Sequence, residues 1–368
     1  MKKIKVLHVL GGLWCGGTET FVMSLFRNID REKFEFIFLI HEEEKAHYDD
    51  EVLALGGKIY RIKGRKEVGI LNYIITLVKV LKEINPHVIH SHAMFNSGVV
   101  MFAAYLAGIK KRVSHAHSSK DEGGNQYVRI AFQSIMRFNI NLFSTDHLAC
   151  NVKAGEFLFR KNVPIINNGL DLEKFTRKNV KHLHFIRNEL SISEDMYVIG
   201  FVGRLVEVKN PVFIINILEK VLENKKNSIV VIVGDGPLKD DLKSLLELKG
   251  LTKFVKFTGN RSDVASIMDV FDVLVLPSLF EGMPIVALEA QAKGLPCVLS
   301  NNIPRAVDLG LDLIKFIPLN NEEKWISAIT ENNQKLNDYI KIKDAFMSKG
   351  YDIQSVSAQM LKIYGILN

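Results

Sequence analysis

The chain has 368 residues, 47% of them hydrophobic and 24% charged, with a formal net charge of +7. That is long for one domain and natural for two, with ample apolar content for a soluble globular core. No apolar run reaches the roughly 18 residues that span a bilayer, and the three cysteines (Cys15, Cys150, Cys297) show no C-x-x-C spacing, against both a disulfide framework and a zinc site.

The opening MKKIKVLHVLGGLW has an apolar part of only Val6–Leu10 before a glycine loop, so it reads as a first strand and not as a signal peptide. A cytoplasmic protein is expected. The charge is uneven: residues 1–170 carry 23 Lys+Arg against 16 Asp+Glu, and residues 171–368 carry 25 of each. A basic first half suits an anionic membrane face or a polyanionic ligand, or serves solubility alone.

Lys5–Leu10 runs into Gly11-Gly12-Leu13-Trp14-Cys15-Gly16-Gly17, and Thr18-Glu19 open a helix through Ile29. A strand, a glycine loop and a helix N-terminus form a phosphate-binding arrangement, which makes Gly16 and Gly17 candidates to face a diphosphate. The spacing is not G-x-G-x-x-G and no acid ends the next strand, Phe34–Ile40, against a dinucleotide. Helices over 46–56, 68–84 and 95–107 alternate with strands over 57–62, 87–91 and 112–116, the pattern of a parallel sheet with helices on both faces. Two strands end in His90-Ser91-His92 and His115-Ala116-His117, where side chains face a ligand crevice. No carboxylate or Cys joins these histidines at ligand spacing, so no metal is expected. His117 at the tip is the candidate sugar contact, with His90 and His115 as satisfied strand-end residues.

Asp121-Glu122-Gly123-Gly124 read as a mobile loop. The helix Tyr127–Phe143 that follows, with Arg129 and Arg137 on one face, either packs on the surface or touches an anionic membrane. Helix 152–159, a strand Val163–Ile166 and the turn Asn167-Asn168-Gly169 close the half, and 171–182 reads as a linker.

The second half restarts the pattern. Strand Tyr197–Val202 ends in Gly203-Arg204, and Lys209-Asn210-Pro211 open helix 211–224. Ser228–Val233 ends in Gly234-Asp235-Gly236-Pro237, helix 237–249 follows, and Lys253–Thr258 ends in Gly259-Asn260-Arg261 before helix 262–269. Arg204 and Lys209 could clamp a diphosphate and stabilise it as a leaving group. The apolar run 272–276 then leads into PSLFEGMPIVALEAQAKGLP, in which Glu281 and Glu289 flank seven residues. Pro284 suits the first turn of a helix, so Glu281 lies in a loop at a strand end and Glu289 about two turns on. Gly282 lets a ligand approach the backbone, the helix N-terminus suits a diphosphate, and the two carboxylates can accept hydrogen bonds from hydroxyls. Tail helices are expected near 320–331, 333–347 and 353–366.

These motifs, in this order and over almost the full length, resemble the retaining GT-B glycosyltransferases of family 4, and within them the EpsF-like capsular or exopolysaccharide type. The resemblance is carried by Gly16-Gly17-Thr18-Glu19, Ile89-His90-Ser91-His92 and Ser114-His115-Ala116-His117-Ser118. It continues through Asn168-Gly169-Leu170-Asp171, Gly203-Arg204 with Lys209-Asn210, Gly234-Asp235-Gly236-Pro237 and the Glu281/Glu289 pair.

The resemblance implies an α/β protein of two doubly wound, Rossmann-like domains with an interdomain crevice. The acceptor domain would span 1–175 and the nucleotide-sugar domain 183–347. The segment 348–368 would return to the first domain through Tyr351–Tyr364. It implies that Glu289 holds the ribose, Glu281 with the backbone of Gly282, Met283, Pro284 and Ile285 the donor sugar, and Arg204 and Lys209 beside Gly203 the diphosphate. Gly17 would approach that diphosphate, His117 the donor sugar, and the backbone at Arg261 the base. Glu281, His117, Arg204 and Lys209 are the implied catalytic set. The implied activity is retaining, metal-independent transfer from a nucleotide-sugar, a UDP-sugar by resemblance, to a lipid-diphosphate-linked saccharide at the inner face of the cell membrane, with no further cofactor and no nucleic acid partner. The absence of any Asp-x-Asp agrees with metal independence. A UDP-sugar 2-epimerase and a non-catalytic partner subunit of a transferase share the architecture and are the alternatives.

Overall fold

Short runs of branched apolar residues with no polar face build strands buried on both sides, as parallel sheets require. Strand Ser228–Val233 (SIVVIV) is buried at every position. The structure is a computed structural model that describes residues 3–14, 16–119, 126–176, 180–331 and 334–366. Cys15 and the loop Asp121-Glu122-Gly123-Gly124 lie outside the described residues. The chain divides into two units, Met1–Gly169 with Ile353–Asn368, and Leu170–Asp352.

The first unit holds strands β1 (Ile4–Val9), β2 (Phe34–Ile40), β3 (Lys58–Arg61), β4 (Val88–Ser91), β5 (Lys111–Ala116) and β6 (Asp146–Ala149). They form one sheet in the order β3-β2-β1-β4-β5-β6, every pairing parallel. The second unit holds β7 (Tyr197–Val202), β8 (Ser228–Val233), β9 (Val255–Gly259), β10 (Val273–Leu276), β11 (Cys297–Ser300) and β12 (Ile314–Ile317) in the order β12-β11-β10-β7-β8-β9. Counted within each unit, the two orders are the same, so two doubly wound, Rossmann-like sheets follow one another in the chain. Strand order reverses between β1 and β4 and between β7 and β10. In open α/β sheets, ligands bind outside the carboxyl ends of the strands at such a reversal.

Several elements differ from expectation. Val163–Ile166 is no strand: Ile165 makes a single bridge to Ala149. The helix expected over 68–84 is two, Arg65–Val68 and Ile70–Ile84, because Gly69 sits at φ 78 and closes the first. Within 171–182, expected as a linker, helices Leu172–Thr176 and Val180–Glu189 occur. The helix expected from 333 begins at Tyr339, where the Asp338 carboxylate accepts the Lys341 N–H. β11 and β12 were not expected, since four-residue apolar runs also fit a buried helix or a loop. The final helix, Ile353–Ile363, packs on the first unit: Val356, Met360 and Tyr364 are buried with Val6, Phe21 and Val88.

Candidate active site

At the reversal in the second unit, two loops meet. The loop after β7 carries Gly203, Arg204 and a short 3-10 turn, Glu207–Lys209, before the helix Pro211–Asn224. The loop after β10 runs from Pro277 to Pro284 and enters the helix Ile285–Ala292. They are tied together: Leu279 N–H donates to Val208 O at 2.8 Å, and the Asn210 amide donates to Pro277 O at 3.1 Å. The Lys209 ammonium donates to Glu281 Oε1 at 2.6 Å, and the Ser278 hydroxyl donates to the same oxygen at 2.9 Å. The Glu281 side chain is only 9% exposed.

Lys209 and Glu281, expected as separate contacts, are thus one ion pair. The pair leaves two ammonium protons and Glu281 Oε2 without a partner among the described residues, so it can still offer donors to a phosphate and an acceptor to a hydroxyl. Arg204 is exposed, and its guanidinium has no partner among the described residues.

The helix Ile285–Ala292 begins at Pro284 as its N-cap, with no side chain capping it. The N–H groups of Gly282, Met283, Ile285 and Val286 have no partner among the described residues. Uncapped N–H groups with the helix dipole behind them form an anion site. Glu289, one helix face further on, is half-buried, and its carboxylate is likewise unpartnered among the described residues. Burial pushes its carboxyl up to about 7. Such a carboxyl is ready to be paid by two hydroxyl donors, as a ribose diol supplies.

The glycines after β8 matter for a reason the sequence did not give. Gly234 has φ 130, and a Cβ there would meet Gly203 O at 2.1 Å. A Cβ at Gly236 would lie 2.5 Å from Leu205 O. These glycines let the backbone after β8 carry the Arg204 loop, through Leu205 N–H to Asp235 O and Leu238 N–H to Leu205 O. At Gly203 itself a Cβ would find only ordinary contacts, the nearest at 3.6 Å. Arg261 is held by Asp263 at 2.8 Å and by Glu189, so its side chain is committed to joining two helices and only its backbone remains for a ligand.

In the first unit, the helix Gly17–Asn28 also begins without a side-chain cap, at Gly16. Here carboxylates gather. A Cβ at Gly16 would lie 2.4 Å from Glu19 Oε2, and Trp14 Nε1 donates to Glu42. Burial, and Glu42 nearby, hold the Glu19 carboxyl above its usual range. The glycine loop is therefore flanked by acid, which counts against a diphosphate at Gly16 and Gly17.

The histidines at the ends of β4 and β5 form one cluster, and β1 adds a fifth. His8 pairs in register with His90, so strand alternation sets His8, His90, His92, His115 and His117 on one face of the sheet. His90 Nδ1 lies 2.8 Å from Tyr364 Oη, and His90 Nε2 lies 3.2 Å from His115 Nδ1. His92 Nε2 lies 3.1 Å from His8 Nδ1, and His92 Nδ1 lies 2.8 Å from His117 Nε2. Burial drives the imidazoles of His8 and His117 down to about 3, and those of His90, His92 and His115 well below the usual range, so all are neutral. Among the described residues, His115, expected to be satisfied, has no partner for Nε2, nor has His8. Two triplets, His8/His90/His92 and His92/His115/His117, each bring ligand atoms within 4.8 Å of one another. His8 carries no local mark in the sequence, because a lone histidine in a strand shows its neighbours only when the strand order is known.

Two six-stranded parallel sheets of one topology, each with a strand-end loop leading into an uncapped helix, define a GT-B protein of two Rossmann-like domains. The model for Glycosyltransferase Family 4 matches residues 15–174, and that for Glycosyl transferases group 1 matches residues 184–331. The chain belongs to this family and is a glycosyltransferase. EpsF of Bacillus subtilis (strain 168), a glycosyltransferase by name, is 33% identical over 373 residues, covering 98% of this chain and 96% of the relative. The UDP-Gal:alpha-D-GlcNAc-diphosphoundecaprenol alpha-1,3-galactosyltransferase of Escherichia coli is 31% identical over 317 residues, covering 81% and 80%. Among solved structures, Anabaena Alr3699/HepE in complex with UDP-glucose aligns with a TM-score of 0.78 at 18% identity, over 99% of this chain and 100% of that one. That last likeness speaks to the fold.

Proposed function

We propose that this glycosyltransferase moves a sugar from a UDP-sugar to a saccharide carried on a lipid diphosphate, with retention and without a metal, in capsular or exopolysaccharide synthesis at the inner face of the cell membrane. The observation that carries the reading is the second-unit cluster: an exposed Arg204 and a Glu289 carboxylate that have no partner among the described residues, the Lys209–Glu281 pair and an uncapped helix, all around one strand-order reversal. Cations and N–H groups suit a diphosphate, and the carboxylates suit hydroxyls. Support for UDP comes from the UDP-glucose complex of HepE, and for a lipid-linked acceptor from the galactosyltransferase relative.

The chemistry follows from charge. The bond from the sugar C1 to the diphosphate oxygen breaks, and negative charge grows on the leaving group. Arg204, Lys209 and the N–H groups at Gly282–Ile285 meet that charge. The acceptor oxygen bonds to C1 on the same face, and its proton passes to the departing phosphate oxygen. Glu281 Oε2 holds a sugar hydroxyl. Isothermal calorimetry with UDP in EDTA tests the reading: binding is expected without metal, and Arg204→Ala is expected to weaken it by about tenfold or more, one charge-assisted hydrogen bond. Binding that needs Mg²⁺, or that Arg204→Ala leaves unchanged, would remove this assignment.

A further inference from the structure

Two rows of hydrogen bonds run through the histidine cluster of the first unit. One joins Tyr364, His90 and His115, and the other joins His8, His92 and His117. The second row has a closed end and an open end. His8 is fully buried at the closed end, and His117 is half-buried at the open one. A neutral imidazole has one N–H and one lone pair. Three such rings joined nitrogen to nitrogen therefore have only two proton arrangements, and each arrangement fixes all three rings.

The closed end decides between them. His8 Nε2 is buried and has no partner among the described residues. An orphaned buried N–H is rarer than an orphaned acceptor, so Nε2 is bare and the His8 proton sits on Nδ1. His8 Nδ1–H then donates to His92 Nε2, and His92 Nδ1–H donates to His117 Nε2. His117 is left with its proton on Nδ1, the nitrogen outside the row.

We propose that His8 and His92 are positioning residues that hold His117 as the Nδ1–H tautomer, so that the ring presents a donor, and no acceptor, to a saccharide hydroxyl oxygen. The saccharide part rests on the reading of His117 as a sugar contact. A ring so held cannot take a proton at Nδ1, so His117 is not the base for the acceptor hydroxyl, and the hydroxyl it meets must send its own proton to another group.

The first test reads the tautomer in the unaltered protein. Long-range ¹H–¹⁵N correlation spectra of the full chain at pH 7.5, with His117 assigned by the resonances lost in His117→Asn, are expected to give the Nδ1–H pattern. An Nε2–H pattern, or a rapidly exchanging mixture, would overturn the proposal. His92→Asn keeps an N–H where His92 Nδ1 stood, and His92→Phe removes it. The Asn variant is expected to retain the His117 tautomer and the Phe variant to release it; identical spectra for His117 in both would also overturn the proposal.

Calorimetry then separates the tautomer from its use. His92→Phe should weaken UDP-glucose by about tenfold relative to His92→Asn, one hydrogen bond, with UDP unchanged. An unchanged UDP-glucose affinity with a raised KM for a saccharide acceptor would assign the hydroxyl to the acceptor and still support the relay. If the tautomer moves while neither responds, the relay stands and the sugar-contact reading of His117 fails. Co²⁺ added alone should not bind to the cluster. One bound equivalent that is lost in His92→Phe would make the rings ligands and overturn the relay.

Discussion

Glu289 is the residue whose chemistry is most exposed to measurement. Burial raises its carboxyl to about 7 in the free protein. A ribose diol donates to the charged form, so binding must pull the proton off. Affinity for UDP-glucose, whose diphosphate does not titrate near neutrality, should therefore rise with pH through about 7 and fall by up to about tenfold per unit below it. Glu289→Gln should abolish that slope. A flat profile in the unaltered protein between pH 6 and 8, about one unit either side of the carboxyl, would show that the carboxylate does not meet the ligand. Both carboxylates were legible in the sequence, because a strand end, a glycine and a helix start locate them by local pattern alone. The Lys209–Glu281 bond was not, since its partners lie 72 residues apart and it takes the β7–β10 pairing to bring their loops side by side. Arg261 is a different case: it is named in the sequence for its backbone alone, and Glu189 and Asp263 hold its side chain.

At the scale of elements, β1, β4 and β5 bury four histidines, His8, His90, His92 and His115, without a carboxylate among their hydrogen-bond partners. Their imidazoles sit below the ordinary 6.5 in the folded chain. Unfolding lets each return to that value, so the unfolded chain binds more protons in the window below 6.5. The stability they contribute is complete above about pH 6.5 and is lost as pH falls, at up to about 1.4 kcal/mol per histidine per unit. Hydrogen exchange of β1, β4 and β5 should show protection falling steeply from pH 6.5 to 5, after correction for the intrinsic rate. Constant or rising protection would mean that the rings are already charged or paired. The strands themselves were legible as apolar runs. Their order, which places His8 beside His90, was not, because parallel neighbours come from crossovers that leave no local mark.

For the whole molecule, the shared strand order of the two units was foreshadowed by the restart of the strand–glycine–helix pattern near Tyr197. The short strands β11 and β12 and the helices within 171–182 were hidden by length and polarity. The helix Gln126–Phe143 leaves Tyr127, Val128, Ile130, Ile135, Phe138 and Leu142 exposed, while Met136 and Ile140 on its other face are buried. Among the described residues, no helix is long and apolar enough to cross a membrane. An apolar stripe on the basic half of the chain fits an anionic lipid surface. Sedimentation with vesicles rich in phosphatidylglycerol should carry the protein down at low salt, and Phe138→Asp with Ile135→Asp should leave it in solution. Equal binding by the double variant would remove the helix from the membrane contact.

The reaction itself is the most direct test. The measurement is ¹H NMR of the product formed from α-linked UDP-hexoses and a lipid-diphosphate-linked N-acetylhexosamine, in the presence of EDTA. A new glycosidic linkage is expected, its anomeric proton showing the small coupling of an α-configured sugar, formed without divalent metal and lost in Glu281→Ala. A β-linked product, a requirement for metal, or full turnover by Glu281→Ala would contradict it.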